Sequence, residues 1–174
     1  MTVQIRAEQP ADFPAIRDVL VAAFGEDRVA DGVERIRESW IYRPATSLVA
    51  VSDDVVVGCV MITGCTVSGD AGDRVVAMLT PLAVAPDRQR QGIGAALVRA
   101  VLAGAEAAGE PLVVLEGSPT YYGALGFEPA RLYGLIFTLP DWAPPDAGQV
   151  YLLPSYDRAD PTLRGKIGYP PVYE

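Results

Sequence analysis

The residues best equipped for chemistry stand together in the string Gln89, Arg90, Gln91, Gly92, Ile93, Gly94 and Ala95. Gly92 and Gly94 carry no Cβ, so backbone N–H groups around them can approach another molecule closely, and the chain there can take positive φ. From this point Ile93, Leu97, Val98, Val101 and Leu102 recur at three- and four-residue spacing, the pattern of a helix laid on a sheet. The first-turn amides of such a helix have no acceptor within it, and its dipole adds about half a positive charge at that end. An anion, above all a pyrophosphate, satisfies both. Arg88 and Arg90 add local positive charge. A bare GxG predicts only a tight turn; the apolar run 75–84 before it, the stop at Pro86 and the two arginines favour a ligand. Gly-Lys-Ser/Thr does not occur, which excludes a P-loop, and the third glycine of a dinucleotide fingerprint is missing.

The chain contains no His. Ser-His-Asp and Cys-His nucleophilic machinery and His-based zinc sites are thereby removed, and no metal is expected. Tyr, carboxylates, backbone donors and water are left for proton chemistry.

The string Gln89-x-x-Gly92-x-Gly94, after Val84-x-Pro86, resembles the acyl-CoA signature of the GNAT superfamily of N-acetyltransferases, Q/R-x-x-G-x-G/A. A second element of that family, YxxxGF, is matched by Tyr122, Gly126 and Phe127. The resemblance implies direct transfer of an acetyl group from acetyl-CoA to an amine of a small molecule or peptide, in a ternary complex. It places the pyrophosphate on residues 89–95, the pantetheine arm along Leu82, Ala83 and Val84 like an added strand, and the Leu82 N–H on the thioester oxygen as charge develops there. The departing thiolate is best protonated by an acid. A Tyr hydroxyl, with a pKa of about 10, suits a thiol of about 8.5; Tyr122 is the candidate and Tyr121 could substitute. A carboxylate acting through water would deprotonate the incoming ammonium. Glu116 stands where an apolar run ends, and ligands of open sheets gather at strand ends; relatives with YYxxxGF spacing are expected to carry a small residue there. Glu26, Asp27 and Asp31 are weaker candidates. A second reading is a sensor or interaction module that binds acyl-CoA without turnover.

The elements that must position these groups follow from pattern. Residues 3–7 alternate as a strand, and Phe13, Ile16, Val19, Leu20, Ala23 and Phe24 mark a helix over 13–24. A second helix is predicted over 29–40, with Val33, Ile36 and Trp40 on one face. Runs 47–52 and 55–67 are rich in β-branched residues and meet at Asp53-Asp54, a hairpin; 68–73 is a loop leading into the run 75–84. The helix after Gly92 and the run 112–116 make a βαβ unit. Pro119 begins a short helix that Gly126 closes, and 132–139 and 149–153 read as two further strands. The order resembles the whole GNAT fold, an α/β (α+β) chain with a mixed central sheet of about six to seven strands, an antiparallel meander then βαβ, and helices on both faces.

Length predicts one acyltransferase domain over 1–153 and an extension over 154–174, too rich in Tyr and aliphatic residues to be a solvated tail and expected to lie along the body or on a partner. The net charge of −8 argues against nucleic acid and is compatible with a cationic amine. No apolar stretch reaches membrane-spanning length and the first residues lack a leader pattern, so a cytoplasmic protein is expected, a monomer or homodimer. Cys59 and Cys65 fit a buried strand of a reduced protein.

Overall fold

β-branched runs and short turns dominate the middle of the chain, and in the computed structural model, which describes residues 2–173, they form long strands. In order come β1 (Val3–Ala7), α1 (Phe13–Phe24), α2 (Arg28–Arg37), β2 (Ser47–Ser52), β3 (Val55–Gly69), β4 (Gly72–Val84), α3 (Ile93–Ala107), β5 (Leu112–Glu116), α4 (Pro119–Gly123), β6 (Glu128–Pro129), β7 (Leu135–Ile136), β8 (Gly148–Leu152) and β9 (Gly165–Gly168). Strands pair in both senses, so the sheet is mixed. It counts nine strands among the described residues, where six to seven were expected, because two-residue β6 and β7 and the late β9 add to it.

Two compact units share the long strands: Met1–Thr63 with Leu79–Gly104, and Gly64–Met78 with Ala105–Glu174. In the first, β1 pairs antiparallel with β2 from Val3↔Ser52 to Ala7↔Leu48, and β2 pairs antiparallel with β3 from Ser47↔Met61. Ile16, Leu20, Val33, Ile36, Ile41, Val49, Ile62, Leu97, Val98 and Val101 are buried here. Gly58 makes room for the side chains of α3: a Cβ there would sit 3.0 Å from Leu97 Cδ1, 3.1 Å from the Ala83 carbonyl and 3.4 Å from Ile93 Cγ2.

The helix predicted over 29–40 is shorter. α2 ends at Arg37, and Trp40 is 70% exposed while Ile41 is buried, so Trp40 leaves the apolar face assigned to it. The bond from Ser39 N–H to the Ile36 carbonyl, 2.9 Å, closes the last turn before Trp40 is reached.

In the second unit the first half of β4 runs parallel to β5, Ala77↔Val113 and Met78↔Val114, the βαβ pairing expected. β8 pairs antiparallel with β5 from Leu112↔Leu152 to Glu116↔Gly148, and β6 adds to β8. The loop predicted over 68–73 shrinks to Asp70-Ala71, since Gly69 and Gly72 remain in strands and Gly72 turns the chain at φ +102°. The strand predicted over 132–139 is mostly absent. Ala130–Tyr133 is a 3-10 turn closed by Gly134 at φ +72°, which leaves only Leu135–Ile136 to pair.

β9 had no periodicity to betray it. It pairs antiparallel with β3, Thr66↔Gly168 to Ser68↔Lys166, and parallel with β7. Val76, Met78, Leu112, Val114, Leu135, Val150, Leu163 and Ile167 form the core of this unit. Cys59, in the first unit, and Cys65, in the second, are both buried free thiols, and burial pushes the Cys59 thiol up to about 12. Among the described residues no helix is long and apolar enough to cross a membrane.

Candidate active site

β4 brings Leu82, Ala83 and Val84 to its C-terminal end in the first unit, with Ala83 buried and its two neighbours half-buried. Pro81 has no N–H, so the donor row of the strand is interrupted one residue before Leu82. The strand ends where the Ala85 N–H donates to the Val57 carbonyl at 2.8 Å, and a 3-10 turn, Pro86–Arg88, carries the chain away. Gln89 folds back, its Nε2 donating to the Val84 carbonyl at 3.1 Å, and Gln91 Nε2 donates to the Asp87 carbonyl at 3.3 Å. Both glutamines thus brace the loop from its exposed side, where Arg90 and Gly92 are also open to solvent.

Arg90 has φ +61° and Gly92 φ +83°. Left-handed residues of this kind turn successive N–H groups toward one side, a concave surface suited to an anion. A Cβ at Gly92 would meet nothing within 4 Å, so glycine serves the backbone conformation and the outside space rather than internal packing. The Ala96 N–H donates to the Gly92 carbonyl at 3.0 Å, the first helical bond of α3. The amides of Ile93, Gly94 and Ala95 precede it, at the positive end of a 15-residue helix that buried Ile93 and Leu97 anchor. Such a cradle fits a diphosphate.

Tyr122 and Glu116 lie in the second unit, on the consecutive elements α4 and β5. Ser118 caps α4 by accepting the Tyr121 N–H at 3.2 Å. The Tyr122 carbonyl accepts from Leu125 N–H at 3.0 Å and Phe127 N–H at 3.1 Å, which closes the turn that Gly126 makes at φ +99°. The Tyr122 ring packs edge-on to Phe127, with centroids 5.6 Å apart, and to Tyr121 at 4.9 Å. Gly117 makes room for it, since a Cβ there would fall 2.7 Å from Tyr122 Cε2. Burial first, and the neighbouring Tyr121 second, push the Tyr122 phenol from 10 to about 12. Tyr121 is exposed, so the two tyrosines differ in environment.

Glu116 is exposed at the end of β5, and its Oε2 accepts a hydrogen bond from the Tyr169 hydroxyl at 2.5 Å. The turn between Glu116 and Tyr122 is held by Gly117, whose N–H donates to the Ala147 carbonyl at 2.9 Å and whose carbonyl accepts from Gln149 Nε2 at 3.2 Å. Gln149 is 2% exposed, a polar side chain spent on that one backbone turn. Asp27 and Asp31, the weaker carboxylates, both face Arg17, at 3.6 and 2.8 Å, and Glu26 is exposed.

Sequence reasoning missed Gly117, Gln149 and Tyr169. Gly117 had a signal, a glycine between a strand end and a tyrosine pair; Tyr169, 53 residues from Glu116, had none.

Residues 4–130 match the family model described as an acetyltransferase (GNAT) domain. The uncharacterised N-acetyltransferase YjhQ of Escherichia coli K12 is 36% identical over 119 residues, 68% of this chain and 66% of that protein, so the match spans just under two thirds of the relative's length. The crystal structure of the GNAT-family N-acetyltransferase YhbS of Escherichia coli, in complex with CoA, superposes with a TM-score of 0.82 at 30% identity, over 98% of this chain and 91% of that one. A GNAT-family acetyltransferase of Brucella melitensis, crystallised with acetyl-CoA, gives a TM-score of 0.78 at 26% identity over 99% of both chains.

Proposed function

Because this chain belongs to the GNAT family of N-acetyltransferases, we propose that it transfers the acetyl group of acetyl-CoA directly to the amine of a small molecule or peptide. The observation that carries this reading is the open amide surface at Arg90 and Gly92, heading α3. The CoA and acetyl-CoA bound to the two structural neighbours support it. Residues 1–153 are the proposed acyltransferase domain and 154–174 its extension. The proposed setting is the cytoplasm, as monomer or homodimer, and two buried free thiols agree with a reducing environment.

The roles follow from chemistry. Backbone N–H groups from Gln89 to Ala95 bind the diphosphate, Gln89 and Gln91 hold that loop in shape, and Leu82, Ala83 and Val84 offer backbone to the pantetheine amides. Glu116, through water, takes a proton from the substrate ammonium. The amine lone pair then forms the N–C bond at the thioester carbon, and the Leu82 N–H stabilises the oxyanion. As the intermediate collapses, the C–S bond breaks, nitrogen gives up its second proton to solvent, and the thiolate receives the Tyr122 proton, which solvent restores. The sum is ammonium plus acetyl-CoA giving amide, CoA thiol and one proton. A phenol pushed up to about 12 is fully protonated at neutral pH and so carries the proton to be given, as a weaker acid than an ordinary tyrosine.

Steady-state release of CoA thiol across a panel of primary amines tests the reading. Amine-dependent turnover is expected. Tight acetyl-CoA binding with no release above the water background, across the panel, would instead mark a binding module.

A further inference from the structure

We propose that Tyr169 is a positioning residue for the acceptor-side carboxylate, its hydroxyl fixing Glu116 in the orientation that receives the substrate's proton. This rests on the reading of Glu116 as the base.

An exposed Glu at a strand end has several rotamers of similar energy and loses entropy when it must hold one. The 2.5 Å bond from Tyr169 to Oε2 selects one of them and leaves Oε1 as the oxygen for a bridging water. The donor is a neutral phenol. Unlike Arg or Lys it brings no counter-charge, so the carboxylate is oriented without being neutralised as a proton acceptor.

Strand pairing delivers the hydroxyl. Tyr169 is the first residue past β9, whose register is fixed by its pairs with β3 and by buried Ile167. Backbones cross closely there: a Cβ at Gly165 would lie 2.2 Å from the Ser68 carbonyl oxygen, and one at Gly69 2.4 Å from the Arg164 carbonyl oxygen. Two glycines therefore let β9 seat in one register, and Pro170 and Pro171 restrict the backbone just beyond Tyr169.

Tyr169→Phe keeps the ring and removes the bond. Its expected effect is a fall in kcat of about tenfold, with the acetyl-CoA KM and the melting temperature unchanged. In a Glu116→Gln background the same substitution should have no further effect on kcat, because a residue acting through Glu116 has nothing left to orient. Full kcat in Tyr169→Phe beside a depressed Glu116→Gln would overturn the role of Tyr169 alone, as would an equal loss in both backgrounds. Full turnover in Glu116→Gln would overturn the reading of Glu116 itself.

Discussion

Gly92 offers the sharpest separation of ligand binding from folding. Its φ of +83° lies in the left-handed region, where a non-glycine residue costs about 1–2 kcal/mol. Since an added Cβ meets no protein atom within 4 Å, that strain is the whole structural penalty. Gly92→Ala and Gly92→Asp should therefore both remain folded, melting about 2–8 °C lower, at roughly 2–4 °C per kcal/mol for a chain of this size. Affinity for acetyl-CoA should divide them. The Asp carboxylate would face the diphosphate, and two like charges at about 4 Å repel by about 4 kcal/mol at an effective dielectric of 20. Allowing for salt and side-chain movement, a rise in Kd of at least about a hundredfold is expected for Asp and a smaller one for Ala. Isothermal titration calorimetry beside thermal melts measures both quantities. A folded Gly92→Asp that binds acetyl-CoA within about threefold of the parent would refute the diphosphate cradle.

Tyr122→Phe should lower kcat by about a hundredfold and leave acetyl-CoA affinity intact; unchanged kcat would remove Tyr122 as the acid. Folding favours the neutral phenol, raised from 10 to about 12, so its contribution to stability is whole below pH 10 and is lost as pH climbs from 10 to 12. Urea melts of Tyr122→Phe should show a flatter decline across that window, and an identical slope would contradict the burial argument. Gly117→Ala should push the Tyr122 ring aside, because the methyl would lie 2.7 Å from Cε2, and reduce kcat more than acetyl-CoA affinity. Gly58→Val should destabilise by about 1–3 kcal/mol in urea unfolding, because its side chain would meet Leu97 Cδ1 and the Ala83 carbonyl; an unchanged midpoint would contradict that packing.

Helix α1 and strands β1, β2 and β5 were legible in the sequence to the residue, because each is a run whose apolar period matches one element and is cut by Pro, Gly or Asp. The turn between β4 and α3 was legible for another reason: two glycines between a strand pattern and a helix pattern mark a tight connection with positive φ. What escaped notice depends on partners far away. Gly-Lys-Ile-Gly, the whole of β9, has no alternation, and its strand character comes from β3 and β7. The run 132–139 misled in the opposite sense, since apolar content suggested a strand and Gly134 ended the turn after Tyr133. At the site, residue types pointed to Tyr122 and Glu116, but the hydrogen bond on Glu116 and the hollow at Gly117 belong to the tertiary structure.

The burial of both cysteines has a practical consequence for the colorimetric assay on which much of this depends. A disulfide reagent that reports CoASH should find Cys59 and Cys65 out of reach in the native enzyme, so the protein itself should contribute no background signal. The same reagent then doubles as a folding gauge: the appearance of up to two additional equivalents per chain would flag a variant whose lost activity comes from collapse of the fold.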